Sequence, residues 1–486
     1  VTQHHQRSRG AIAIAILLGT LVNSLLWQLP VRSQTGAYCE LTAKEITEKE
    51  AWRKATLNGD KEDRERYQDI LEKHAEQLQD CRSRTWPQEQ AIWIRLYPCD
   101  NKPGMLDAVM DRIVNRGYNQ VYVEVFYDGQ VLLPARENPT VWPSVVRTRG
   151  SEDVDLLAMA IQKGRDRGLK VSAWMFSMNF GYTYALRPDR QQVVAMNGKG
   201  QSTLNKEGTQ VFIDPYSRQA KQDYRQLLQA VLQRQPDGVL FDYIRYPRGT
   251  GAESVATKVQ DLWIYGDAAR QALLQRALNQ KGRELIGHFL RKGHITASDL
   301  ETINRRYPNE QEPLWQGRNP AAIKAVQHQT LLQTELWMLS VAHALQGVLD
   351  FLKGASRLVQ QQGIQPGVVF FPGGNRAVGK GFDSRMQPWD RFPESLEWHP
   401  MAYGVCGDTS CIVNQIGRVL RKAPSGTQVK PALAGVWGRS VRNRPPLEVQ
   451  MHAIRRNAPK IKALSHFAYS WQEPQHDQQR KFCRLR

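Results

Sequence analysis

No glycine-rich phosphate loop follows any strand-like run of this 486-residue sequence, which weakens a nucleotide-binding doubly wound sheet. No nucleic-acid-reading motif is present, and the Lys and Arg residues are spread along the chain instead of gathering in one stripe. Acidic residues are in short supply: 47 Asp and Glu against 66 Lys and Arg leave a formal charge of +19. Such a chain suits an anionic membrane surface or an acidic polymer, or uses its charge only for solubility. Cysteine is scarce, six in all, and the spacing of Cys406 and Cys411 with His399 and His466 fits no familiar zinc pattern. No metal or cofactor is expected. Apolar residues are not lacking, and a hydrophobic content of 41% excludes global disorder.

One long apolar run stands apart from the rest. Ala11 to Leu29 follows Arg7 and Arg9, and Val31 and Ser33 supply small residues for a cleavage site before Gln34. Residues 1–33 read as a secretory signal, with an uncleaved membrane anchor as the alternative. Either reading predicts a periplasmic or extracellular protein. An even number of cysteines in an exported chain favours disulfides. Cys406 and Cys411 are close enough to close one loop, and Cys39 and Cys81 flank a charged stretch whose ends they would staple. Cys99 and Cys483 would then tie the first strand region to the C-terminus.

Residues 34–89 are dominated by a charged segment broken at Asn58-Gly59-Asp60, the pattern of a helical hairpin. From residue 90 to 475 strand-like runs alternate with helical ones. The runs start with Ala91–Tyr97, Gln120–Phe126, Leu169–Phe176 and the strand of Asp237–Pro247. They continue with Pro366–Phe371, Leu396–Tyr403, Val429–Trp437 and Leu464–Trp471. This succession predicts an α/β fold, a (β/α)₈ TIM barrel, with an open doubly wound sheet as the alternative. A helical insertion over 253–319 separates the fourth strand from the fifth, and Ser298 with Glu301 has the spacing of a capping box. Insertions of this kind lie over the active-site face, where this one would wall the cleft or only decorate the barrel. Residues 476–486 read as a basic tail.

The segment Asp237–Pro247, DGVLFDYIRYP, carries the strongest functional signal. It is a short buried strand that ends in a carboxylate, Asp242, followed by Tyr243, Arg245 and Tyr246. An acid at the C-terminal end of a barrel strand is where a sugar-cleaving enzyme places a catalytic group. A second carboxyl is needed, and Glu124 of the second strand is favoured over Glu473 after the eighth. The competing reading of Glu124 is an interior acid paired with Arg95. Arg245 would hold Asp242 ionised or grip an anionic group on a glycan. Trp174, Trp437, Trp471, Tyr243 and Tyr403 are candidate stacking platforms for sugar rings, and His399 a candidate partner for a sugar hydroxyl. Asp214 is read as a turn or helix cap.

DGVLFDYIRYP resembles the hallmark of the bacterial glycosyl hydrolase-like family 10, a TIM-barrel family. Gly117–Val121, Ala173-Trp174, Ile213-Asp214-Pro215, Gln387-Pro388-Trp389 and Pro400-Met401-Ala402-Tyr403 resemble further elements of that family, in the same order. Ser172 stands where the family often has His, Glu124 where it often has Gln, and QPW where it has QDW. The resemblance implies a glycoside hydrolase acting on an envelope or extracellular polysaccharide or peptidoglycan-type glycan. A barrel that binds glycan without cleaving it, or an envelope scaffold, is the alternative. Nucleic acid is not expected as a partner, and membrane attachment would run through the N-terminal segment.

Overall fold

The computed structural model describes residues 39–59, 61–205, 210–319 and 328–483. The expected signal or anchor at 1–33 lies outside the described residues. Eight parallel strands close on themselves. They are β1 (Glu89–Ile94), β2 (Gln120–Tyr127), β3 (Lys170–Phe176), β4 (Gly238–Asp242), β5 (Gln365–Phe370), β6 (Glu397–Ala402), β7 (Ala432–Ala434) and β8 (Ala463–Phe467). Each pairs with its sequence neighbours, and β1 pairs with both β2 and β8. The chain therefore forms the (β/α)₈ barrel that the succession of runs predicts, not an open sheet.

The strands are buried on both faces, as a barrel wrapped in helices requires. All eight residues of β2, QVYVEVFY, are buried. The helices α3 (Met105–Asn115), α4 (Leu156–Arg165) and α5 (Arg218–Leu232) are amphipathic, and each turns its apolar stripe to the strands. Local chemistry sets their ends. Asp155 accepts a hydrogen bond from the backbone of Ala158, and Ser217 does the same from Ala220. Gly117 and Gly168, with φ of 72° and 69°, turn the chain out of α3 and α4 in the left-handed region that stops a helix.

The predicted hairpin is present as α1 (Ala43–Ala55) and α2 (Lys61–Arg84). It docks on α3 and α4 through buried polar groups. Arg167 donates from Nε to Asp111 at 2.8 Å and from Nη2 to the Tyr67 hydroxyl at 2.7 Å, while Tyr67 donates to Asp111 at 2.8 Å. Three disulfides join Cys39 to Cys81, Cys99 to Cys483 and Cys406 to Cys411, so these cysteines are not zinc ligands.

Two expectations are corrected. Residues 474–481 form a C-terminal helix rather than a basic tail. Its Arg480 is fully buried, donates to both carboxylate oxygens of Asp100 at 2.7 and 2.6 Å, and reaches the Arg95 carbonyl at 3.0 Å. The matched Asp100 carboxylate draws the segment inward despite its surface-like composition. In the insertion, which holds α6 (Asp267–Leu274), α7 (Gln280–Lys292) and α8 (Ala297–Arg306), the capping box is made by Thr296 and Asp299. Thr296 has extended backbone, so the helix starts before Ser298, which falls inside it. The long helix preceding β5, α9, spans His328–Gln361.

Candidate active site

The C-terminal ends of the strands surround a cleft of about 870 Å³. Trp93 and Arg95 reach it from β1 and just beyond, Glu124 from β2, Trp174 from β3 and Asp242 from β4. Phe371 stands beyond β5, Met401 and Tyr403 on β6 and its exit, and Phe467 and Trp471 at the end of β8. The C-terminal helix closes one side with Asp477, Gln478 and Lys481. Among the described residues, nothing from 253–319 lines the cleft. The insertion instead fastens to the barrel flank, where Asp214 accepts the backbone N–H of Ala269 at 2.8 Å and caps α6.

Asp242 is the last residue of β4 and lies level with Phe176 of β3. Its Oδ2 accepts the indole N–H of Trp174 at 3.1 Å, and its Oδ1 accepts the backbone N–H of Tyr243 at 2.6 Å. Burial pushes its pKa up, while these donors and the charge of Arg245 pull the other way. Tyr243 has a left-handed φ of 51°, an uncommon conformation for an aromatic residue. The turn that follows brings the Arg245 guanidinium to 4.6 Å above the Tyr243 ring.

Glu124 lies level with Trp174 on the neighbouring strand. It is 2% exposed, and burial pushes its pKa up to about 7 even though Arg95 donates to it at 2.5 Å. Arg95 also faces Asp128 at 3.6 Å and covers the ring of Tyr127 at 4.0 Å. The charge of Asp242 raises the Glu124 pKa further, so the two carboxyls feel each other across the cleft.

Seven of the residues singled out in the sequence come together here: Asp242, Glu124, Arg245, Tyr243, Trp174, Tyr403 and Trp471. Three do not. Glu473 turns outward to Arg116 and Arg112 at 2.6 and 3.5 Å, because the chain coils into a helical turn over Tyr469–Gln472 as it leaves β8. Trp437 packs edge-on against His466 behind the barrel wall and donates to the Tyr118 hydroxyl at 3.4 Å. His399 lies inside the barrel below the cleft, edge-on to Tyr122 and 3.4 Å from Glu397, and burial holds its pKa down. Glu397 itself belongs to the opposite end of the barrel, where it pairs with Lys430 at 2.7 Å. Among the described residues no His, Cys, Asp and Glu group could hold a metal ion.

Sequence reading missed Trp93, Phe371, Phe467 and Arg442, all in the cleft. Trp93 carries a usable signal, since it sits in the first strand run two residues before Arg95 and so on the same face. Arg442 carries none, because it lies in a long loop. Gln387, the first residue of QPW, links two strand ends. It accepts from the Phe371 N–H at 3.0 Å and donates to the Ile244 carbonyl at 3.3 Å.

Fold and cleft define a (β/α)₈ barrel with an acid- and ring-lined cleft at the C-terminal ends of its strands. Residues 92–271 match the family described as Glycosyl hydrolase-like 10, a stretch that runs from β1 through β4 and contains both Glu124 and Asp242. The matched stretch includes DGVLFDYIRYP and the first half of the barrel. No curated protein matches the chain. Among solved structures, the GH20 exo-β-N-acetylglucosaminidase of Vibrio harveyi is 8% identical, with a TM-score of 0.41 over 79% of this chain and 50% of that one. The β-N-acetylhexosaminidase of Bacteroides fragilis NCTC 9343 is 9% identical, with a TM-score of 0.42 over 84% and 68%. A hypothetical protein of Ruminiclostridium thermocellum ATCC 27405 is 16% identical, with a TM-score of 0.25 over 32% and 77%.

Proposed function

We propose that this protein is an exported glycoside hydrolase that cleaves a cell-envelope or extracellular polysaccharide. The observation that carries the reading is a pair of buried carboxyls, Glu124 and Asp242, facing one ring-lined cleft at the C-terminal mouth of a barrel. Their surroundings differ, which is how two carboxyls divide acid and base roles. Glu124, with a pKa near 7, keeps its proton in mildly acidic solution and is the general acid for the leaving oxygen. Asp242 holds two N–H donors against its oxygens and is the base or nucleophile on the other side of the glycosidic bond. Trp174, Tyr243, Tyr403 and Trp471 give the sugar rings flat apolar faces. The apolar run after Arg7 and Arg9, together with three disulfides, supports export.

The Arg95–Glu124 pair favours one second reading, a barrel that binds glycan without cleaving it, because a structural ion pair has the same contacts. Incubation of the purified protein with a panel of envelope and extracellular glycans separates the two. Hydrolysis predicts new reducing ends that vanish in both Glu124→Gln and Asp242→Asn. Retention of a glycan by the wild type with no new ends would leave only binding.

A further inference from the structure

Two cations of the cleft make no direct contact with Glu124 or Asp242, although the charge of Arg245 opposes the rise of the Asp242 pKa. Arg245 is 6% exposed and surrounded by rings, with its guanidinium 4.6 Å from Tyr243, 5.4 Å from Phe212 and 5.5 Å from Phe371. It donates to the Tyr246 carbonyl at 2.9 Å, but a guanidinium carries more N–H donors than one carbonyl uses. Among the described residues it forms no ion pair with a carboxylate. Taking such a charge out of water is costly unless something pairs with it. Arg442 stands further out on the same cleft, 5.2 Å above the ring of Trp471, also with no ion pair among the described residues. Its loop is braced, for the Gly407 N–H donates to the Asn443 carbonyl at 3.1 Å beside the Cys406–Cys411 disulfide.

The acids of the cleft are already answered. Glu124 and Asp128 share Arg95, Asp477 has Arg480 at 3.2 Å, and Asp242 holds the N–H groups of Trp174 and Tyr243. Positive charge is left over on the side where substrate would lie.

We propose that the cleft is built for a glycan bearing carboxylate groups. Arg245 grips one on the sugar next to Asp242, and Arg442 meets another where Trp471 stacks the chain. This rests on the glycan-cleft reading above and names its substrate class. A planar guanidinium matches a carboxylate through two parallel hydrogen bonds, and the rings around Arg245 exclude the water that would weaken them.

The test is equilibrium binding to Asp242→Asn, which holds glycan without turning it over. The probes are an array of carboxylated oligosaccharides, the same compounds after carbodiimide–borohydride reduction of their carboxyls to alcohols, and neutral oligosaccharides carrying sulfate. The carboxylated form should bind about 10-fold tighter or better than its reduced partner, the worth of one charge-assisted pair. The preference should shrink in high salt, fall when either Arg245→Gln or Arg442→Gln is added and be lost when both are, with affinity for the reduced form retained. Equal binding of the two forms overturns the proposal, as does a preference that survives both substitutions or one directed at sulfate. If Arg245→Gln does not fold by circular dichroism, Arg245→Lys and Arg442→Gln carry the test. The two readings fail separately. Discrimination in binding by a wild type that never cleaves sinks hydrolysis alone, whereas equal cleavage of acidic and reduced glycans sinks only the carboxylate preference.

Discussion

The environment of Glu124 makes a claim that can be checked without knowing the substrate. Its carboxyl moves from an ordinary 4.5 to about 7 on folding, chiefly through burial. A raised folded pKa means that the native state holds a proton the unfolded chain has released. Stability from this group is therefore complete below about pH 4.5 and is lost as pH rises through about 7. A displacement of this size corresponds to about 3 kcal/mol across that window. Urea unfolding of the wild type and of Glu124→Gln from pH 4 to 8 isolates it, since Gln cannot titrate. The difference between the two should swing by about 3 kcal/mol in favour of Gln as pH rises. Arg95 opposes burial and holds the pKa lower than it would otherwise be. Arg95→Gln should therefore carry the fall in stability to higher pH, by about one pH unit, the low end for a close opposite charge because the Arg95 side chain is 37% exposed. Once a cleavable glycan is in hand, the alkaline limb of kcat/KM should stand near pH 7 and move up in the same variant. A flat Gln-minus-wild-type difference between pH 5 and 8 would show that Glu124 is ionised throughout, an ordinary partner of Arg95, and the general-acid assignment would fall.

Asp242→Asn should reduce reducing-end release by orders of magnitude and cost at most about 1–3 kcal/mol in urea unfolding, since its one amide oxygen can accept only one of the two N–H groups that Asp242 holds. Intact turnover with a lower melting temperature would make Asp242 a structural cap. Trp174→Phe removes the indole donor that lowers the Asp242 pKa, so the acid limb of the rate profile should move to higher pH. An unmoved limb would show that the hydrogen bond does not govern the ionisation. Arg167→Met leaves Asp111 with only the Tyr67 hydroxyl and Arg53 at 3.7 Å and should lower stability by about 1.5–3 kcal/mol, with faster hydrogen exchange along Lys61–Arg84. A change within about 0.5 kcal/mol would mean that the hairpin docks by other contacts. Non-reducing peptide mapping should find Cys39 joined to Cys81, and opening that loop should cost about 3–4 kcal/mol. Free thiols at both positions would remove one support for export.

The barrel was legible because each strand announces itself locally. A strand covered on both faces needs a nearly continuous apolar run, and a glycine in the left-handed region follows where α3 and α4 stop, at Gly117 and Gly168. Asp242 was legible for a related reason, as a carboxylate at the edge of such a run with no apolar role to fill. Glu124 was legible only as a choice between catalysis and pairing with Arg95, and the structure shows why the choice is hard. The arginine contact and the raised pKa occur at one carboxyl, because burial outweighs the pairing. What the sequence hid depends on chain direction after the strands end. Glu473 follows β8 as closely as Asp242 ends β4, yet a helical turn swings it out to Arg116. Trp437 has the residue type of a sugar platform but lies on the outer side of the wall. Conversely, residues 476–486 look like a solvated tail, and the buried pairing of Arg480 with Asp100, with the Cys99–Cys483 link, makes 477–482 a wall of the cleft. Long-range pairings of this kind leave no periodicity to read. They also connect this wall to the carboxyls of the cleft: Arg480 holds the Arg95 carbonyl, and Arg95 holds Glu124. The C-terminal helix is thereby one contact removed from the carboxyl that would donate the proton.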